Sequence, residues 1–93
     1  MKLKPMQREN IPHNFVYLEK HLPERNLHRY YRLYITATLF GEYVLVREWG
    51  RCGSKNMGHS GSLLQQWFAC LQEAQQAKEK LIKLKERRGY QVI

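Results

Sequence analysis

Residues 43–51 read YVLVREWGR, and this stretch decides how the chain of 93 residues folds. Side chains alternate along a strand, so the odd positions share one face: Tyr43, Leu45, Arg47, Trp49 and Arg51. An indole ring and two guanidinium groups then lie together at the end of the strand. Because an indole stacks on a sugar or base and an arginine pairs with a phosphate, this face suits a nucleic-acid backbone.

The segments around this stretch predict a small sheet. Residues 30–40 alternate, with one apolar face formed by Tyr31, Leu33, Ile35, Ala37 and Leu39. The short turn at residues 40–42 predicts an antiparallel hairpin with the motif strand. Residues 15–19 and 62–68 indicate two more strands, and residues 90–93 can return as an edge strand. The glycine-spaced segment 52–61 is typical of a loop.

One helix is predicted over residues 70–88. Its apolar stripe falls at steps of three and four residues: Cys70, Leu71, Ala74, Ala77, Leu81 and Leu84. A basic last turn followed by Gly89 is typical of a helix C-terminus. We therefore expect an α+β fold, in which this C-terminal helix packs across an antiparallel sheet of four to five strands. Residues 1–13 are predicted to be a flexible arm and residues 14–93 a single domain.

Charge and composition narrow the classes of partner. The net charge is +8, from 16 lysine and arginine residues against 8 glutamates, and the excess lies toward the two ends of the chain. A strong positive balance favours a polyanionic partner. No apolar run reaches the roughly 20 residues of a membrane span, and the N-terminus lacks the apolar region of a signal peptide. We expect a cytoplasmic protein with two reduced, unpaired cysteines, Cys52 and Cys70.

The sequence resembles the WGR domain family over about residues 15–92. The resemblance rests on the tyrosine-rich strand 29–35, the core 43–53 with its Trp-Gly-Arg tripeptide, and the ending from residue 73 to Tyr90. This family is best known as the DNA-binding module of poly(ADP-ribose) polymerases. The resemblance implies the same α+β architecture, a stand-alone bacterial protein, and a tryptophan at the position of Trp49 that lies against a DNA end. The polymerase activity belongs to a separate domain, so we expect no enzyme here.

Ten residues are candidates for nucleic-acid binding, and each has a second interpretation. Trp49 either stacks on nucleic acid or caps the core, and Arg51 either contacts phosphate, forms an ion pair or, as the family implies, contacts a protein domain. The loop residues either cradle a terminal phosphate or form an exposed turn. Basic residues at the helix end either bind phosphate or complement the helix dipole. The set is Trp49, Gly50, Arg51, Lys55, Asn56, Arg47, Lys85, Arg87, Arg88 and Tyr90.

Outside this set, the sequence offers weaker binding candidates and no pattern of a metal or nucleophilic site. Arg29, Arg32 and Tyr34 can extend a binding surface, whereas Trp67 is expected to support the core. The four histidines show no metal-ligand spacing, so neither a zinc site nor a cofactor is expected. Neither cysteine has a base and an orienting group in the pattern of a nucleophilic site.

The leading interpretation is a non-catalytic module that binds nucleic acid, DNA rather than RNA. Backbone and 5′-phosphate contacts at ends or nicks are the expected mode, with low sequence specificity and strong salt dependence. The alternative is a protein-interaction adaptor that uses the Trp49 face or a sheet edge. Neither a membrane nor a small-molecule substrate is expected, and a bacterial protein of this kind would be nucleoid-associated.

Overall fold

The computed structural model describes residues 15–52 and 61–93. The predicted arm and two candidate site residues, Lys55 and Asn56, lie outside the described residues. The elements are β1 (Val16–Leu22), β2 (Leu27–Ala37), β3 (Tyr43–Arg51), β4 (Gly61–Phe68), α1 (Leu71–Arg87) and β5 (Gln91–Val92). The strands form one antiparallel sheet in the order β4-β3-β2-β1-β5, and α1 packs across one face. The predicted α+β fold is confirmed.

The core lies between α1 and the face of the sheet that it covers. Leu18, Leu33 and Leu45, from the three central strands, are fully buried. Each leucine contributes roughly 2 kcal/mol through the apolar surface that it removes from water. The alternation predicted for β2 and β3 is confirmed, because Tyr31, Leu33, Ile35 and Leu45 share this helix-side face with Ala74 of α1. The opposite face of the sheet, the open face, is not covered by α1.

The β2–β3 turn differs from the sequence prediction. Leu39 was assigned to the apolar face of β2, but β2 ends at Ala37, and Leu39 and Phe40 are 97% and 88% exposed in the turn. Thr38 closes the turn, because its N–H donates to the Glu42 carbonyl at 2.8 Å and its hydroxyl oxygen accepts from the N–H groups of Phe40 and Glu42 at 3.2 Å. A side chain that satisfies two turn amides competes with further strand pairing.

The stripe that α1 presents to the sheet is shifted from the predicted one. Ala74 and Lys78 are buried, and Ala77, Leu81 and Ile82 pack against the core. Cys70 was assigned to this stripe, but it is exposed at the N-cap position, and Leu71 is also exposed. None of the helices in the described ranges is long and apolar enough to cross a membrane.

The end of α1 turns the chain back onto the sheet, as predicted. Gly89 adopts φ +102°, and its N–H donates to the Glu86 carbonyl at 3.1 Å, while the Tyr90 N–H donates to the Lys85 carbonyl at 3.0 Å. These two bonds form a Schellman motif, which requires a left-handed residue and therefore favours glycine. The reversal pairs β5 with β1 and places the Tyr90 ring edge-on to Tyr31, with centroids 6.0 Å apart.

Candidate nucleic-acid interface

Three cations form a row across the sheet beside the Trp-Gly-Arg motif. Lys20 of β1 pairs with Arg29 of β2, and Arg29 pairs with Arg51 of β3, so the three side chains are direct cross-strand neighbours on the helix-side face. Arg29 and Arg51 are exposed, and no residue of the row forms an ion pair within the described parts of the chain. Like charges placed directly opposite each other destabilise a sheet, and a bound polyanion would remove that cost.

The next row inward is aromatic. Trp49 pairs with Tyr31 across β3 and β2, and their rings stack with centroids 5.5 Å apart and an interplanar angle of 12°. Trp49 is partly buried and packs against the core. The indole therefore helps to hold the sheet end together and also presents part of its surface beside the cationic row.

Lys85, in the last turn of α1, lies above these rings. Its Nζ is 4.4 Å from the centroid of Tyr31 and 5.6 Å from that of Tyr90. Burial lowers the pKa of Lys85, and the neighbouring charges of Arg88, Arg47 and Lys20 lower it further. Because the surrounding charges disfavour this cation, the site gains electrostatic energy when an anion arrives.

Arg47 of β3 contacts the neighbouring strand β4, and its charge acts on Lys85 at the end of α1. Its Nη2 donates to Oε1 of Gln66 at 3.3 Å. Its Nε is buried, and no acceptor for it lies among the residues that the structure describes. A buried guanidinium nitrogen without an acceptor is costly. The charge of Arg47 also acts on Lys85 and so adds to the positive potential of this site.

These groups lie together beside the motif, and we call them the basic-aromatic cluster. Its rings are Tyr31, Trp49 and Tyr90, and its cations are Lys20, Arg29, Arg47, Arg51, Lys85 and Arg88. The fold thus brings the motif strand and the helix end together, which the sequence presented as separate candidates. Gly50 alternates onto the open face, and Arg87 is exposed in the last turn of α1.

Lys20 and Tyr31 were missed as site residues by sequence reasoning. Tyr31 was assigned to the core, and its exposure of 3% confirms this. Its ring also stacks on Trp49 and lies below the Nζ of Lys85. Lys20 joins the cluster only through the pairing of β1 with β2. The short connection at residues 23–25 indicates that β1 and β2 pair as neighbours. The register of that pairing places Lys20 opposite Arg29.

The weaker candidates Arg32 and Tyr34 lie on the open face, away from Trp49. Arg32 donates to Glu48 Oε1 through Nε at 2.8 Å and through Nη2, and the Tyr34 hydroxyl donates to Oε2 of the same residue at 3.4 Å. Trp67 was expected to support the core, but this is wrong: it is 55% exposed, and its position in β4 places it on the open face.

Two paired glycines on the open face leave room near the motif for the Tyr30 side chain. Gly50 pairs with both Tyr30 and Gly61 across the sheet. A Cβ added to Gly61 would lie 2.5 Å from the Tyr30 hydroxyl oxygen and 3.0 Å from the Trp49 carbonyl oxygen. The Tyr30 side chain therefore occupies the space that a larger residue at position 61 would need.

Comparison with known proteins defines the class. The chain belongs to the WGR domain family, whose model matches residues 14–93. It is 36% identical over 75 residues to an uncharacterized protein, y4dW, of Sinorhizobium fredii, and the match covers 81% of this chain but 34% of that protein. The chain thus spans about a third of the length of this relative. No solved structure matches it significantly. WGR domains are non-catalytic modules, and membership of the family supports nucleic-acid binding.

Proposed function

We propose that this domain binds DNA ends or nicks, with the basic-aromatic cluster against the backbone at the break. The row of Lys20, Arg29 and Arg51 carries the proposal, because three like charges in register repel one another and a bound polyanion would offset that repulsion. A break fits better than continuous duplex, because it exposes a sugar and base on which the partly accessible Trp49 ring can stack.

Each part of the cluster has a role in this proposal. The Trp49 indole stacks on the terminal nucleotide, with Tyr31 behind it at 5.5 Å as support. Arg51 and Arg29 pair with backbone phosphates, for which the forked guanidinium is well shaped. Lys85 adds a cation above the rings. Lys55 and Asn56 follow Arg51 closely in sequence, and their contact with the 5′-phosphate stays part of the proposal.

The expected binding is electrostatic and independent of sequence. The helix-side face offers cations and ring surfaces but no helix that projects into a groove, because α1 is packed against the sheet. Phosphate contacts position a protein without reading bases. Each phosphate contact contributes about −0.9 to the slope of log K against log salt, so the three row cations contribute about −3 and Lys85 about −1 more.

Fluorescence anisotropy with three labelled DNAs at physiological salt tests the proposal. The DNAs are a duplex nicked with a 5′-phosphate, the same nick with a 5′-hydroxyl, and a closed hairpin without ends. We expect the phosphorylated nick to bind most tightly and Trp49→Ala to remove that preference. Equal, weak binding to all three DNAs would overturn the proposal and show that the net charge of +8 acts alone.

One observation favours the alternative, an adaptor that binds a protein through a sheet edge. β4 is the outer strand of the sheet and carries Leu63, Leu64 and Trp67 with 57%, 44% and 55% of their surfaces exposed. An exposed apolar edge strand is a template for pairing with another chain. Leu63 and Trp67 share the open face of β4. Replacing both by glutamine should then release a protein partner and leave DNA binding unchanged, and a partner retained by that variant contradicts the alternative.

A further inference from the structure

A second row of polar side chains crosses the same end of the sheet, on the open face. His21 of β1 pairs with His28 of β2, and the Cys52 N–H donates to the His28 carbonyl at 2.9 Å, which continues the β2–β3 ladder by one residue. Alternation puts His21, His28 and Cys52 on the face opposite Lys20, Arg29 and Arg51. Glu19 lies on the same face, two residues before His21.

The donor atoms of this row converge. Nδ1 of His21 is 2.7 Å from Nδ1 of His28, and Nε2 of His21 is 2.9 Å from Oε1 of Glu19. One ligand atom each from Glu19, His21 and Cys52 lies within 4.8 Å of the other two. Ligand atoms around a tetrahedral zinc ion, at about 2.0 to 2.3 Å from the metal, are roughly 3 to 4 Å apart, so small movements of these three side chains would place an ion among them.

The surroundings keep the donors oriented and reachable. The Tyr17 hydroxyl donates to Oε2 of Glu19 at 2.8 Å, which leaves Oε1 directed at His21. Partners of this kind fix the geometry of metal ligands and raise affinity. His28 and Cys52 line an open cavity of about 150 Å³ together with Asn26 and Arg51, so an ion can enter from solvent.

We propose that Glu19, His21 and Cys52 bind one divalent transition-metal ion of the zinc type, with His21 binding through Nε2, the nitrogen that faces Glu19. His28 lies at hydrogen-bond distance from Nδ1 of His21 and orients this ligand. A thiolate, an imidazole and a carboxylate are donors that zinc accepts, with a water at the fourth position, whereas calcium and magnesium prefer oxygen ligands. The proposal does not depend on DNA binding.

The bound ion would join β1 to the end of β3 at the end of the sheet that carries the motif. β1 supplies Glu19 and His21, and Cys52 follows Arg51 at the end of β3, while His28 of β2 supports His21. The ion would therefore hold Arg51 and the start of the following loop in place from the opposite face. Sequence spacing gave no sign of this group, because its members lie on separate strands and only the register brings them together.

Cobalt(II) titration of the reduced, tag-free full chain tests the site. Cobalt takes the place of zinc and gives a charge-transfer absorption band when a thiolate coordinates it. We expect a band that saturates at one equivalent, is displaced by zinc, and is lost in Cys52→Ser. Cys70→Ser is the matched control, because Cys70 is the exposed cysteine at the start of α1 and should leave the band unchanged.

Thermal unfolding gives a second measurement that does not depend on the thiol spectrum. Zinc should raise the Tm of the wild type and of Cys70→Ser, because a ligand that binds only the folded state stabilises it. His21→Gln should weaken zinc binding by at least about tenfold. Absence of the band in the wild type, its survival in Cys52→Ser, or equal zinc-induced shifts in all variants would overturn the proposal.

Discussion

At the motif end, the charged side chains on the two faces of the sheet differ in whether they have partners within the chain. On the open face, Arg32 donates a hydrogen bond to Glu48. Glu19 accepts a hydrogen bond from the Tyr17 hydroxyl, and its other oxygen lies 2.9 Å from Nε2 of His21. On the helix-side face, the six cations of the basic-aromatic cluster have no carboxylate partner within the described ranges. Burial lowers the pKa of Lys85, and the neighbouring cations lower it further.

This contrast distinguishes charged groups that are paired within the fold from charged groups that are available to bind a ligand. A folded chain can satisfy an arginine internally, as it does with Arg32, by placing a carboxylate directly across the sheet. Charges that are crowded and left without such partners cost stability, and they persist where a partner outside the chain offsets that cost. The contrast leads us to assign the helix-side face to a polyanion and the open face to internal bonding and the proposed metal.

The two tryptophans give the largest predicted difference between the faces. Trp49→Ala should weaken binding to the phosphorylated nick by about 5- to 150-fold, since base stacking contributes about 1 to 3 kcal/mol. Trp67→Ala, on the open face, should change binding by less than about twofold. Anisotropy titration of both variants measures the difference.

Protein stability must be separated from contact loss in that comparison. Trp49 packs against the core, so its removal should also lower the free energy of unfolding by about 2 kcal/mol. Trp49→Phe keeps a ring against Tyr31 and should retain more of both stability and binding. A folded Trp49→Ala that binds as well as the wild type would remove the contrast between the faces.

Replacement of arginines should give the next largest effect on DNA binding. The change in the free energy of unfolding should have opposite signs on the two faces. Arg29→Gln combined with Arg51→Gln should reduce the magnitude of the salt slope by about 2 and raise stability by up to about 1 kcal/mol, because like-charge repulsion is removed. Arg32→Gln should leave the slope unchanged and lower stability by at most about 1 kcal/mol, because Glu48 loses its partner. Salt-dependent anisotropy and urea unfolding test both signs, and equal slopes for the two variants would contradict the assignment.

A smaller effect is expected from Lys85→Gln. The variant loses a cation 4.4 Å from the Tyr31 ring, worth about 0.5 to 1 kcal/mol, but also loses its repulsion with Arg47, Arg88 and Lys20. The lost attraction and the lost repulsion offset each other, so the free energy of unfolding should change by less than about 1 kcal/mol. The magnitude of the salt slope should decrease by about 1. Lys83→Gln, on the exposed side of α1, is the matched control. An unchanged slope in Lys85→Gln would exclude Lys85 from the interface.

The smallest effect concerns the open face at high pH. Burial, followed by the hydrogen bond to Glu19, raises the pKa of Tyr17 from 10.0 to about 12. A raised pKa in the folded state means that this contribution to stability is complete below about pH 10 and is lost as pH rises through about 12. Phenolate absorbance during alkaline titration should show a late component that Tyr17→Phe removes, with neutral-pH DNA binding unchanged. An unaltered titration in that variant would refute the assignment.

Most of the fold followed from the sequence because its signals are local. Alternation in β2 and β3, the helical period of α1 and the glycine that ends it each depend on neighbours a few residues apart. The errors arose where a side chain changed the local outcome. Thr38 ends β2 before Leu39, the helix begins only after Cys70, and the buried side of α1 includes Lys78, which was not predicted there.

The candidate site was less accessible from sequence because it depends on register. Trp49 and Arg51 were found from their alternation, and the basic helix end from its composition. The cationic row required the pairing of Lys20 with Arg29, and the His21–His28–Cys52 row required the same register on the other face. A pattern within one strand shows which residues share a face, but not which residues of the next strand lie beside them.

The most direct test of the central claim uses the two tryptophan indole N–H signals in an NMR titration. Trp49 reports on the helix-side face and Trp67 on the open face. Addition of a nicked duplex with a 5′-phosphate should shift or broaden the Trp49 signal strongly and leave the Trp67 signal nearly unchanged. A dominant change at Trp67, with Trp49 unaffected, would place the nucleic acid on the open face and contradict the account.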